Sequence, residues 1–331
     1  MSTIREVSRL AGVSISTVSR VLNNTVPVAE DTKARVMSAV SQLGYTPNTF
    51  ARGLVTNRSG GIGVVVNEIS SPFYSGIIKG IEQVVEASGM HLVVSSAHID
   101  GSVEHNAVSF LKERRCDALI LHLESTSDEQ LLTWSQADAP MVIVGRHIPE
   151  LAEACVYLDN ELGGYLATKH LLEQGHRHIA HISGPLTMKD GRDRLAGYQR
   201  ALQEAELACD ERWIVNSDFI ESGGQQAMQQ LLARNLPLTA VFAANDQMAA
   251  GALKTLREHN LDIPQDVSLV GYDDVLIARY LYPSLSTIHQ PLMEMGNAAA
   301  TIALALLQGQ ETEVQHKFNP KLVKRQSVKS I

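Results

Sequence analysis

Ile4, Val7, Leu10 and Ala11 recur at the three- and four-residue spacing of one helix face, and Gly12 interrupts them where a helix exit favours positive φ. Val18, Val21 and Leu22 repeat the pattern in a second short helix. Val36, Val40 and Leu43 repeat it in a third, over residues 28–43, which Gly44 ends. Thr3 and Glu6 have capping-box spacing, and Ser14 can cap the second helix. The pattern predicts a three-helix head over residues 1–46. Residues 48–55 then read as an isolated helix of about two turns, with Asn48 able to cap and Ala51 and Leu54 on one face. Such a segment is unstable alone in water, and Gly53 weakens it by about 1 kcal/mol relative to Ala.

From Gly61 the texture changes to short continuous apolar runs alternating with helical stretches. Strands are predicted at 62–66, 92–94, 118–121, 141–144, 179–182, 240–243 and 268–270. Between and after them, helices are predicted at 72–88, 103–114, 128–136, 161–174, 192–204, 222–234, 247–259 and 292–308. Alternation at βαβ spacing implies parallel sheets covered on both faces, so the fold class is α/β, with two doubly wound lobes and a ligand cleft between them. Ligands in such sheets sit beyond the carboxyl ends of the strands. That points to the loops 67–74, 145–148, 184–194, 245–246 and 272–274.

Charge sharpens this division. The 331-residue chain carries a formal −8. Residues 1–58 hold seven Arg/Lys against three Asp/Glu, so the remainder carries −12. A basic head on an acidic body confines any polyanion contact to the head. On the second predicted helix, the face opposite Val18 and Val21 is Ile15, Ser16, Thr17, Ser19, Arg20 and Asn23. Short polar groups beside one guanidinium suit base edges and phosphates in a major groove. Cys116, Cys155 and Cys209 show neither metal spacing nor a paired framework, which fits small buried hydrophobes in a reducing compartment. No charged-then-apolar leader and no bilayer-length apolar run is present, so a cytoplasmic protein without membrane contact is expected.

Ala11-Gly12-Val13-Ser14 followed by Thr17-Val18-Ser19-Arg20-Val21-Leu22-Asn23 resembles the helix-turn-helix of the lactose/galactose repressor family of bacterial transcription regulators. Arg194-Leu195-Ala196-Gly197-Tyr198, Asn245-Asp246-Gln247-Met248-Ala249 and Gly271-Tyr272-Asp273-Asp274 resemble that family's sensor domain, and the chain is most similar to its galactose-type members. Ile15 and Ser16 depart from the Val-Ala pair of that type. The resemblance implies a periplasmic-binding-protein-like core over 59–331, a linker over 47–58, and a chain that crosses between lobes near Asp159 and again near residues 286–288. One lobe would comprise about 60–158 with 290–320, the other about 161–287 with 321–331. It also implies a homodimer on a palindromic operator, contacted through Thr3, Ser14, Ile15, Ser16, Thr17, Ser19, Arg20 and Asn23. Residues 48–55 would be a hinge helix whose Asn48, Ala51 and Leu54 meet the minor groove, with Leu54 wedged at a base step.

Recognition of a sugar needs forked donors and acceptors able to bridge neighbouring hydroxyls. Arg194 offers the fork, Asp273 a carboxylate, and Asn245 both donor and acceptor; all three match effector-binding positions of the family. Phe73 and Phe219 can cover the apolar face of a pyranose, and Arg146 follows a strand where galactose-type members also carry arginine, placing it to contact the ligand or to pair with a carboxylate across the cleft. Asp246 and Asp274 read as capping or ion-pair groups, and His98, His147 and His289 as solvated or hydrogen-bonded. No cofactor and no metal is expected. A transporter's solute-binding protein is opposed by the head, and an enzyme by the missing P-loop, H-E-x-x-H and G-x-S-x-G motifs. The chain stops without a leucine heptad after residue 327, so a dimer rather than a tetramer is expected.

Overall fold

The apolar spacing of the head becomes three helices, Ile4–Ala11, Ile15–Asn23 and Glu30–Leu43. Thr3 and Glu6 close both arms of the capping box, and Gly12 and Gly44 end their helices at φ 65° and 55°. Val7, Ala11, Val18, Val21, Val36 and Ala39 form the core. Two details differ from expectation. The third helix starts at Glu30, with Val28 packed on the core from outside it. Leu10, placed by its spacing on the buried face, is half exposed. The computed structural model describes residues 2–23, 26–45, 59–98, 100–136 and 139–331. The segment 48–55, with Asn48, Ala51 and Leu54, lies outside the described residues.

Two units emerge, Met1–Ser59 and Gly60–Ile331. The second contains two six-stranded sheets. The first sheet is built from β1 (Gly61–Val66), β2 (His91–Ser96), β3 (Ala118–Leu121), β4 (Met141–Val144), β5 (Cys155–Leu158) and β11 (Lys317–Phe318), in the order β11-β5-β4-β3-β1-β2. The second is built from β6 (Ile179–Ser183), β7 (Ile214–Asn216), β8 (Ala240–Ala243), β9 (Ser268–Asp273), β10 (Ser286–His289) and β12 (Lys321–Val323), in the order β12-β10-β9-β8-β6-β7. All pairings are parallel except β10 with β12. The sequence pattern does not predict β5, β7, β10, β11 and β12, which are two to four residues long and lie at or next to an edge of their sheets.

The chain passes between the sheets three times. It leaves the first after β5, at Asp159. It returns after β10, at Gln290–Pro291, three residues later than expected, because 286–288 pair with β9. It crosses again between Phe318 and Lys321. Helix Leu292–Gln308 packs against Pro72–Ala87 on the first sheet, Asn160–Glu173 against Lys189–Glu204 on the second, and Glu221–Ala233 against Asp246–Glu258. Each pair meets through reciprocal glycines. A Cβ on Gly80 would lie 2.1 Å from the Met293 carbonyl oxygen, and one on Gly296 2.1 Å from that of Ile77. Gly164 and Gly197 stand likewise 2.1 Å from the oxygens of Arg194 and Glu161. Gly224 and Gly251 stand 2.3 and 2.0 Å from those of Met248 and Glu221. Backbones in such contact leave no room for any side chain. Cys116 and Cys155 are buried, whereas Cys209 is exposed, against expectation.

Candidate functional site

On the head, Ser14 caps the second helix by accepting from Thr17 N at 3.1 Å, and its Oγ lies 2.8 Å from both Ser16 Oγ and Thr17 Oγ1. Ile15 is 44% exposed, a large apolar group at the first turn of a helix whose flanking residues are polar. Ser16 and Arg20 are exposed beside it, Thr17 and Ser19 half-buried, and Asn23 ends the helix. Thr3 is exposed at the cap of the preceding helix. The turn therefore presents hydroxyls, one apolar group and one guanidinium on a single face.

In the second unit, the strand ends surround a cleft of about 330 Å³. Arg194, only 2% exposed, sits in the second turn of Lys189–Glu204. Its Nε donates to Asn160 Oδ1 at 2.9 Å and its Nη1 to the Ala244 carbonyl at 2.6 Å. Asp273 Oδ1 and Asp190 Oδ2 each stand 3.5 Å from the guanidinium, which lies over the Tyr272 ring at 3.8 Å. Asp273 ends β9 at φ 106° and also accepts from Gln290 Nε2 at 2.6 Å. Asn160 and Gln290 occupy the first two crossings, so the chain segments that join the sheets also hold the cleft's charged groups. The Phe219 ring stands 5.4 Å from Arg194, in space that a Cβ on Gly184 would fill.

The wall from the first sheet is Asn67, Phe73, Tyr74, His122 and Glu124. Asn67 Nδ2 donates to Tyr74 Oη at 3.0 Å, and that hydroxyl lies 3.3 Å from His122 Nδ1. Phe73, Tyr74 and His122 meet edge to face. Burial dominates the titration of this region. It pushes Glu124 up to about 8 and Asp273 up to about 7, and raises Asp190, while it drives His122 down to about 4. The approach of His122 Nδ1 to Glu124 Oε1 at 3.7 Å is therefore a contact between two neutral groups at pH 7 and not an ion pair.

Of the residues picked from sequence, Phe73, Arg194, Phe219, Asn245 and Asp273 line the cleft. Asn245 does so with its amide already engaged: Oδ1 accepts from Met248 N at 2.8 Å as a helix cap, and Nδ2 donates to the Phe219 carbonyl at 2.9 Å. The capping role assigned to Asp246 thus belongs to Asn245. Buried Asp246 instead ties the strand ends together, accepting from Thr287 Oγ1 and Val275 N. Arg146 is not on the cleft wall. It donates to the carbonyls of Leu123 and Thr126 and to Asp128, bracing the loop after β3. Asp274 forms the expected ion pair with Arg325, and its Oδ2 lies 3.1 Å from His289 Nδ1. His98 lines the cleft, and His147 packs on Tyr157. Asn67, Tyr74, His122, Glu124, Asp190 and Gln247 were missed. The strand-end rule applied to 118–121 would have found His122 and Glu124. No helix among the described residues is long and apolar enough to cross a membrane.

Comparison with known proteins follows this division of the chain. Residues 3–48 match the bacterial regulatory proteins of the lacI family, and residues 168–328 match a periplasmic binding protein-like domain. The chain is 41% identical to the HTH-type transcriptional regulator GalR of Salmonella typhimurium (strain SL1344), over 99% of this chain and 96% of that one. A crystal structure of the lac repressor dimer bound to operator and the anti-inducer ONPF matches with a TM-score of 0.88 at 29% identity, over 99% of each chain. A complex of the transcriptional regulator CelR with cellobiose matches with a TM-score of 0.73 at 34% identity, over 99% of this chain and 100% of that one. These full-length relatives are transcriptional regulators and not enzymes.

Proposed function

The chain belongs to the lacI family of bacterial regulatory proteins and is a DNA-binding transcriptional regulator, and we propose that it is a dimeric repressor released from a palindromic operator by a small sugar, galactose or a close relative. The observation that carries the sugar reading is the Arg194–Asp273 pair, fixed in place between the rings of Tyr272 and Phe219 within a cleft of monosaccharide size. Fixed forked donors, carboxyl acceptors and aromatic walls are the chemistry of hydroxyl-rich ligands. The head supplies the operator contact through Ile15, Ser16, Thr17, Ser19, Arg20 and Asn23, backed by Thr3 and Ser14. Residues 47–58, with Asn48, Ala51 and Leu54, supply the minor-groove contact. Leu276, Tyr280 and Tyr282, exposed by 66%, 79% and 80%, form an apolar surface that supports pairing with a second copy.

The regulatory step is a shift in population. A sugar that binds one arrangement of the two lobes better than the other moves the protein toward it, and operator affinity changes by the same coupling free energy. Repression would take place in the cytoplasm, where the operator lies. The test is a thermal-shift panel of monosaccharides on the full-length protein, followed by operator selection and a mobility-shift titration with each sugar that stabilises. Galactose or a near epimer should raise the melting temperature and release the selected operator. Stabilisation by no sugar, or operator binding indifferent to every stabilising sugar, rejects the reading.

A further inference from the structure

Glu124 sits at the end of β3 on the cleft wall, its side chain 9% exposed. Among the described residues, no hydrogen bond reaches its carboxyl; His122 Nδ1, at 3.7 Å, is too far for one. The loop that carries it is clamped from two sides. The buried Glu104 carboxylate, from helix Gly101–Glu113, accepts from the backbone N–H groups of Glu124, Ser125 and Thr126 and from the Thr126 hydroxyl. Arg146 holds the Leu123 and Thr126 carbonyls. The backbone is thus fixed, and the Glu124 carboxyl is held in the cleft without a partner of its own.

We propose that Glu124 is a ligand-recognition residue that donates to a hydroxyl oxygen of the effector and limits the cleft to effectors carrying no phosphate or carboxylate. This rests on the sugar reading above and names which sugars qualify. The groups that face Glu124 are Asp190 and Arg194 from helix Lys189–Glu204, Glu104 from its own helix, Arg146 from the loop after β4, and His122 and Tyr74 from the same wall. Arg194 is committed to Asp190, Asp273 and Asn160, and Arg146 to Asp128 and the loop carbonyls. Neither guanidinium is left to neutralise an incoming anion, whose charge would be buried beside carboxyls that burial already holds toward their neutral form, and each proton they gave up would add a like charge. A buried carboxyl in this company keeps its proton near neutral pH, as its upward shift to about 8 reflects. A protonated carboxyl both donates and accepts, so it can bridge two adjacent sugar hydroxyls.

The experiment uses the full-length protein with D-galactose, D-glucose and D-ribose, each beside its terminal phosphate ester, and D-galacturonate. Calorimetric titration at pH 6.5 to 9 should show binding of a neutral sugar and none of its phosphate ester or of the uronate. Affinity should fall as pH rises through about 8. Glu124→Leu should weaken that sugar tenfold or more. Glu124→Gln, which keeps a donor and an acceptor, should bind within a few-fold and lose the part of the pH dependence that falls near 8, leaving only what Asp273 contributes near 7. A phosphorylated sugar binding more tightly than its neutral parent overturns the inference while the sugar reading stands, as does a Glu124→Leu variant that binds like the parent. Binding by no sugar rejects the sugar reading instead, and Glu124 is then judged on unfolding of the free protein. Its folded pKa lies above the unfolded one, so its contribution is full below the unfolded value and lost as pH rises through about 8. The parent should therefore lose stability relative to Glu124→Gln as pH climbs; parallel profiles overturn the inference.

Discussion

Asp273 carries two demands at once: it stands 3.5 Å from the Arg194 guanidinium and accepts from Gln290. Asp273→Ala should abolish the sugar response in a mobility-shift titration and leave operator binding, since head and cleft belong to separate units. The ligand affinity lost should amount to about 2–5 kcal/mol, the cost of leaving a buried charged partner unpaired. Glu104 is a second decisive residue, and sequence alone passed over it. Its carboxylate is fully buried and gathers four donors from one loop. Glu104→Gln sets an amide donor against those donors, so denaturant unfolding should show a loss of roughly 2–3 kcal/mol, and sugar binding should weaken with the loop. Arg194 and Asp273 were legible because their chemistry and the strings around them speak together. For Arg146 the sequence leaves ligand contact and carboxylate pairing open, because a guanidinium after a strand serves either end, and only geometry reveals Asp128 and the carbonyls it holds. Glu124 was legible only through its place beyond the strand at 118–121, because one carboxyl in an acidic chain carries no local mark of burial.

Elements with long apolar periodicity were the legible ones. Helix Leu292–Gln308 runs between its expected ends, and the other long helices begin within a few residues of theirs. Lys189–Glu204 starts three residues early, which is what brings Asp190 to the cleft. Short edge strands were not legible, because a few half-buried residues set no period. The reciprocal glycines were equally silent, since a glycine's meaning lies in what approaches it. They are testable directly. Gly164→Ala puts a methyl 2.1 Å from the Arg194 carbonyl, a backbone atom that cannot turn aside. The helices must part, at a cost of about 1–3 kcal/mol or more in a denaturant melt, and sugar affinity should drop because Arg194 moves with its helix. On the head, exchanging Ile15 and Ser16 for Val and Ala should change which operators are selected. The salt dependence of binding should stay nearly constant, because neither side chain carries charge for a phosphate.

Across the whole molecule, burial of titratable groups gives the protein a slope on its alkaline side. Above pH 6.5, His122 and His181, both driven down to about 4 by burial, are neutral in the folded state, while the unfolded chain sheds its remaining imidazole protons over the next pH unit or so, a small opposing effect. The larger effect up to pH 8 comes from the buried carboxyls Asp190, Asp246, Asp273 and Glu124, all raised by burial, the last two to about 7 and about 8, whose protons the folded state holds and the unfolded state has lost. Stability should therefore fall by roughly 2 kcal/mol between pH 6.5 and 8, read as the shift in urea midpoint; a flat profile would contradict the buried carboxyls. The three passages between the sheets bear on a different matter, the order in which the chain is made. Helix Leu292–Gln308 covers the first sheet, and β11 and β12 close an edge of each, yet all three leave the ribosome after every other strand of both sheets. A nascent chain ending near residue 290 has every strand of the first sheet except its edge, and nothing over Val142, Val144 and Val156. Neither lobe can finish alone, so both wait as sticky intermediates for the same final stretch, and a truncation there should cost solubility in both lobes at once.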